Sequence, residues 1–260
     1  MSHKNTTFWD HLEVIRWALI RVVVIFIITT GILFYFMPYI FDNVILAPCN
    51  NDFFLYNLFK KIYINSIFIP DFSNQDFNVN IININLATQF MTHITTSCYI
   101  AIILLCPYIL FEIYMFVRPA LYRNEKKSVF VTFGLGSIMF FIGCAISYFI
   151  IFPLTLRFLY QYEISEKITN QLSLNSYMSN FFMLILIIGL IFELPLVSWF
   201  LSKLGLLTRS FFKKYRRYAI VILLILAAVI TPSGDPFTLI VVFLPIYGLY
   251  EISALFVRRN

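Results

Sequence analysis

Charge is scarce in this chain: only 12% of its 260 residues are Asp, Glu, Lys or Arg, while 60% are hydrophobic. A water-soluble domain has roughly a quarter of its residues charged and cannot hide this much apolar surface in one core. A soluble globular fold is therefore excluded, and lipid is the natural solvent. Cysteine is also sparse. Cys49, Cys98, Cys106 and Cys144 form no C-x-x-C pair, and three of them lie in apolar runs. They read as packing residues, with no metal or redox site expected. There is no fixed-period repeat, Walker loop, H-E-x-x-H or G-x-S-x-G, so neither a cofactor nor hydrolytic chemistry is expected and the chain does not read as an enzyme. The N-terminal MSHKNTTFWDHLEVIRW has no short apolar core followed by small residues, so no cleaved leader is expected.

What the chain does have is long apolar runs, 30 Phe and 16 Tyr. A helix needs about 20 apolar residues to cross roughly 30 Å of hydrocarbon. Six runs qualify as spans, at about 17–36, 91–117, 129–152, 177–201, 218–230 and 237–257. An all-α membrane protein of six transmembrane helices follows, forming a single membrane domain over 1–260. The last two spans read as short: 219–230 is an unbroken apolar run of 12 residues, and Glu251 interrupts the sixth. The hairpin between them, T-P-S-G-D-P, is a turn signal. With Arg21 counted in the N-terminal segment, the termini and the second and fourth loops hold 15 of the 19 Lys and Arg, and the other loops hold four. The positive-inside rule then places both termini on the inner, cytoplasmic or matrix side. The net charge of +6 reports this loop asymmetry, and no nucleic-acid partner is expected. Gly134, Gly136, Gly143 and Ala145 in the third span have helix-contact spacing.

Ionisable groups inside a bilayer cost a few kcal/mol and mark either function or local pairing. Glu112, Glu193 and Glu251 fall within the expected spans, all in their inner halves. Glu193 stands in F-E-L-P, where Pro195 frees a backbone carbonyl and bends the helix. It is expected to face a groove formed with the short fifth helix. At the inner surface Glu13 lies in HLEVIR and Glu125 in FVRPALYRNEKK, each among cations. A bias towards Phe, Ile, Tyr, Asn and Lys is what A/T-rich codons produce, and it points to an organelle or an A/T-rich bacterium.

Four segments, in order and over nearly the whole chain, resemble the TatC family, the multi-span subunit of the twin-arginine protein translocase. HLEVIR resembles its H-L-x-E-L-R signature and FVRPALYRNEKK its F-x-x-P-x-L-x-x-x-E-[KR] loop. FELPLVSWFLSKLGLLT resembles its F-E-x-P segment with the following G-[ILV]-[TL]-T. RRYAIVILLILAAVITPSGDP and LPIYGLYEIS resemble its T-P-x-D turn and L-P-x-x-x-L-Y-E-[IL]. LAPC resembles its outer A-P turn at Pro48. The chain departs from the family at Val14, where an acidic residue is common, and at Ala18, where a second Arg is usual. It also has an extra residue before Asp235, and lacks a Gln after that turn.

The resemblance implies a protein that binds precursors carrying twin-arginine signal peptides and moves them folded across the membrane on the proton-motive force. It implies a signal-binding site at Glu125, Phe116, Glu13 and Arg16, since guanidinium groups match carboxylates bidentately. It further implies a partner contact at Glu193, outer turns at Pro48 and Asp235, a small single-span TatA/TatB-type subunit, and a homo-oligomer, while Glu251 and Glu112 stand as intramembrane polar or partner-contact candidates on the cost of charge in the bilayer. The composition favours the mitochondrial inner membrane over a plastid thylakoid or a bacterial plasma membrane. The rival readings are a small-solute transporter or proton channel, with the three glutamates as a relay, and a structural or assembly subunit of a respiratory complex. The missing internal repeat counts against the first.

Overall fold

The computed structural model describes residues 8–61, 79–120, 126–162, 165, 170–203, 205–231 and 234–257. Among these the regular secondary structure is helical apart from one two-residue parallel strand pair, β1 (Ile81–Ile82) with β2 (Leu172–Ser173). The helices are α1 (Phe8–Ile40), α2 (Phe54–Lys61), α3 (Thr88–Val117), α4 (Lys126–Ile146), α5 (Phe152–Gln161), α6 (Leu174–Ile191), α7 (Leu194–Lys203), α8 (Arg209–Ile230) and α9 (Pro236–Phe256). Five helical stretches are long and apolar enough to cross a membrane: Leu12–Cys49, Thr88–Val117, Val129–Gln161, Leu174–Lys203 and Pro236–Phe256. The expected fifth span lies in α8. This helix has 22 residues, but its first nine include Arg209, Lys213, Lys214, Arg216 and Arg217. Only its second half is apolar, about 18 Å of helix.

The expectation of a short sixth span is corrected. Glu251 does not break α9, which runs unbroken for 21 residues, because its carboxylate is neutralised by Arg216 of α8 rather than left to face lipid. Asp235 caps α9, its Oδ1 accepting from the Thr238 amide at 2.8 Å, and Pro236 takes the first helical position, where no amide is needed. Gly234 before it has φ +59°. The extra residue in the turn is thus one that can adopt the left-handed conformation.

α6 is the central helix. Phe181, Phe182, Leu184, Ile185 and Ile188 are all buried. α1, by contrast, packs along α3 and leaves most of its apolar side chains exposed. The small residues of α4 divide. A Cβ on Gly136 would lie 2.7 Å from Leu196 Cδ2, and one on Gly143 2.7 Å from the Phe192 ring. These two let α4 approach the α6–α7 break. Gly134 has nothing within 4 Å of such a Cβ, and Ala145 is exposed, so neither makes the expected contact.

The end of the bundle that carries Pro48 is closed by side chains bonded to backbone. α1 runs into a π-helical turn, Phe41–Ile45, and α4 into another, Ser147–Ile151. The Tyr148 hydroxyl donates from the second to the Val44 carbonyl of the first at 2.8 Å. Tyr177 donates to the Ile45 carbonyl, and Tyr56 donates to the carbonyls of Pro48 (2.9 Å) and Pro153 (3.3 Å). Burial pushes the Tyr56 phenol above its ordinary pKa, so it remains a donor. Arg157 is fully buried, its guanidinium 5.0 Å from the Tyr56 ring.

Candidate functional site

Each of the three glutamates inside the spans has a different environment. Glu112, on α3, is buried and receives both prongs of the Arg21 guanidinium from α1, at 2.8 and 2.7 Å. One helical turn earlier the Tyr108 hydroxyl donates to the same carboxylate at 2.6 Å. Glu251 accepts from Arg216 Nε at 2.7 Å, which ties α9 to α8. Both carboxylates thus have a fixed cation. Neither arginine is picked out as a partner by sequence reasoning. Arg21 is grouped there with the N-terminal segment, although it stands four residues past Trp17, inside an apolar run, and that position is the available signal.

Glu193 is the exception. α6 ends at Ile191, Phe192 and Glu193 form the turn, and α7 resumes at Leu194 with Pro195 in its first turn. The break occurs where F-E-L-P places it, because proline is tolerated in a first helical turn and not in a helix interior. The side chain is buried, and neither carboxylate oxygen has a hydrogen-bond partner among the described residues. Its neighbour is α4: Oε2 lies 2.8 Å from where a Cβ on Gly136 would be. The expectation that this carboxylate turns towards the fifth helix is therefore corrected. The missing Cβ of Gly136 opens room on the α4 side, and the carboxyl fills it.

The candidate surface group sits at the other end of the α1–α3 pair. Glu13 and Arg16 are exposed and make a 3.5 Å contact with each other. Phe116 is 41% exposed near the end of α3. The Arg21–Glu112 pair fixes the register of these two antiparallel helices. Glu13 lies eight residues before Arg21, or about 12 Å along α1, and Phe116 lies four after Glu112, or about 6 Å along α3. Both are therefore at the same end. Glu125, between α3 and α4, lies outside the described residues. An exposed pair such as Glu13 with Arg16 contributes ~0–1 kcal/mol.

Pro48 is buried in a 3-10 turn, Ala47–Cys49, and its carbonyl accepts from Tyr56. The two expected outer turns, Pro48 and Asp235, thus serve local structure as an anchor and a cap. Among the described residues no group of three or more His, Cys, Asp or Glu has the arrangement of a metal site.

A family model described as Sec-independent protein translocase protein (TatC) matches residues 10–245. The protein of that name from Blattabacterium sp. subsp. Periplaneta americana is 38% identical over 249 residues, 95% of this chain and 92% of the relative. That of Aquifex aeolicus is 32% identical over 246 residues, 94% and 91%. That of Helicobacter pylori strain 26695 is 38% identical over 192 residues, 73% and 74%. A crystal structure of the twin arginine translocase receptor TatC superposes with a TM-score of 0.72 at 30% identity, covering 95% of this chain and 97% of that one. A second, in DDM, gives 0.74 at 28% identity, covering 95% and 99%.

Proposed function

The chain belongs to the TatC family of Sec-independent protein translocase proteins, and on that premise we propose that it recognises twin-arginine signal peptides at its basic end and passes folded precursors across the bilayer on the proton-motive force. It is a multi-pass membrane subunit of a translocase and not an enzyme. The reading extends to six spans, with α8 as the fifth, in a single membrane domain over 1–260. Both termini, the Arg118 to Lys127 loop and the Lys203 to Arg217 segment face the inner side, because the cations concentrate there. The relatives named above are bacterial, which supports a bacterial plasma membrane. The mitochondrial inner membrane suggested by composition draws no support from them.

Signal recognition is assigned to Glu125, Phe116 and Glu13, with Arg16 as the counter-ion of Glu13. Its support is the exposure of Glu13 and Phe116 at one end of the α1–α3 pair, together with the ordered family motifs. A small single-span TatA/TatB-type subunit and further copies of this chain are the proposed partners. The observation that carries the partner reading is Glu193: it alone of the three glutamates in the spans has neither a cation nor a hydrogen bond among the described residues. Glu112 and Glu251 act in this reading through their arginines, holding α1 to α3 and α8 to α9.

The test of the signal site is binding of a twin-arginine precursor to membranes containing each variant. Glu125→Ala and Glu125→Gln weaken binding more than Glu13→Ala does, since Val14 leaves Glu13 without the second acidic residue of the signature. Glu125→Lys is worse than either, and added salt weakens the wild-type interaction. Equal binding of twin-lysine and twin-arginine signals, with no effect of any Glu125 change, puts the site elsewhere.

A further inference from the structure

α8 begins with cations in an unfavourable place. A helix N-terminus already carries partial positive charge, yet Arg209, Lys213, Lys214, Arg216 and Arg217 occupy the first nine residues. The first turn holds no acidic residue, and no Asp or Glu stands anywhere between Glu193 and Asp235. Arg209, Lys213 and Arg216 share one helix face at i, i+4 and i+7, and with Tyr250, Glu251 and Leu255 of α9 they line a cavity of about 100 Å³. Arg216 is taken by Glu251 at 2.7 Å. Arg209 and Lys213 have no acidic partner among the described residues, so the cavity has two positive charges that nothing there balances.

Leu255, which lines the cavity, shares one face of α9 with the exposed Leu244 and Ile240, and Glu251, already paired with Arg216, lies on that face between them. Gly248 falls between them on the same face, and a Cβ there would meet no atom within 4 Å. A cationic niche at the head of an exposed apolar stripe, on two helices that meet lipid, matches one ligand chemistry, a phosphodiester attached to acyl chains. Basic pockets between membrane helices hold anionic headgroups in this way.

We propose that the α8–α9 cleft binds one anionic phospholipid, its phosphodiester between Arg209 and Lys213 and an acyl chain along Leu255, Gly248, Leu244 and Ile240. The Arg216–Glu251 pair forms the wall of the site and keeps the two helices at the spacing that leaves it open. The bound lipid reverses the charge conflict at the start of α8 and fixes the depth of a helix whose apolar half is too short to set its own. The inference requires only that α8 and α9 contact a bilayer, and it stands or falls separately from signal recognition.

The experiment is native mass spectrometry of the purified full chain after incubation with equal amounts of phosphatidylglycerol and phosphatidylcholine. The wild type retains phosphatidylglycerol in preference. R209Q/K213Q loses about thirtyfold of that preference, at ~1 kcal/mol per basic side chain near anionic headgroups. K214Q/R217Q removes the same charge outside the cavity lining and keeps most of the preference. Equal losses in the two double variants, or no preference in the wild type, overturn the site. Displacement by glycerol phosphate at concentrations comparable to the lipid overturns the lipid assignment in favour of a free phosphate. A thermal melt in detergent accompanies each variant. If R209Q/K213Q melts as the wild type does and still retains phosphatidylglycerol, the proposal is wrong. If it does not fold, K213Q alone is read in its place, with about a fivefold loss expected.

Discussion

Arg21 of α1 and Glu112 of α3 meet in a two-pronged ion pair, Nε donating to one carboxylate oxygen at 2.8 Å and Nη2 to the other at 2.7 Å. α1 otherwise presents mainly apolar side chains to its surroundings, and lipid rewards a helix little for leaving lipid to pack on another. A charge pair whose members are each unwelcome alone in hydrocarbon supplies what apolar contact does not, a reason for α1 to stay at one register on α3.

It follows that Arg21→Leu, which leaves Glu112 with only Tyr108 as donor, lowers the amount of inserted protein and its melting temperature in detergent. Arg21→Lys recovers part of the loss, since one ammonium cannot reproduce two parallel bonds. Arg21→Leu combined with Glu112→Leu recovers more than Arg21→Leu alone, because no unpaired carboxylate remains. An unchanged melting temperature in Arg21→Leu removes the pair from the account of stability.

Close packing at the helix break gives a second prediction. A side chain at Gly143 runs into the Phe192 ring, whose nearest atom is 2.7 Å from the new Cβ, so Gly143→Leu destabilises by roughly 1–3 kcal/mol or more. Gly134→Ala, with open space around it, is neutral or stabilising by up to ~1 kcal/mol through helix propensity. Thermal unfolding of both variants in the same detergent checks the contrast. Equal effects mean that α4 does not approach the break as described.

Topology is checked with single cysteines in a chain whose Cys49, Cys98, Cys106 and Cys144 have been replaced by Ala. Asn57→Cys and Lys213→Cys place one thiol at each end of the bundle. A membrane-impermeant maleimide added to intact cells labels Asn57→Cys and reaches Lys213→Cys only after the membrane is opened. Labelling of both from the same side sinks the six-span arrangement.

Five of the six expected spans are legible in the sequence because hydropathy sets them, and the break at Glu193 because Pro195 cannot sit in a helix interior. The π-helical turn Ser147–Ile151, which admits Tyr148 to the Val44 carbonyl, leaves no trace in hydropathy, since the expected span 129–152 reads as one apolar stretch. The Arg21–Glu112 and Arg216–Glu251 pairs join positions 91 and 35 residues apart, and periodicity within one helix does not reveal partners on another. The length of α9 is misread because a charged residue in an apolar run looks like a boundary when its counter-ion is unknown. Glu13 and Phe116 are found by motif, and geometry adds their common end. Glu125 rests on motif alone.

Glu193 carries the last prediction. Its carboxylate is buried between the α6–α7 break and Gly136 without a hydrogen bond among the described residues. A charge so placed in hydrocarbon costs about 2.5–3.5 kcal/mol on insertion scales, so a residue serving only as filler is replaced with gain by an apolar one. Glu193→Leu therefore permits insertion and leaves protein level in the membrane at or above that of the wild type, while export of a folded twin-arginine reporter and association with a small single-span subunit fall. Glu193→Gln, similar in size and able to donate and accept, stays close to the wild type. Glu193→Ala behaves as Leu does in export, with poorer packing against Gly136. Level and export are measured on the same membranes. If Glu193→Leu leaves both normal, the carboxylate is a tolerated, neutralised group and has no part in transport. If the level falls instead, Glu193 holds α7 against α4. Gly136→Ala, whose Cβ would sit 2.8 Å from Oε2, then separates the two roles. It displaces the carboxyl group without removing it, so export falls with a normal level only if the position of this polar group is what a partner reads.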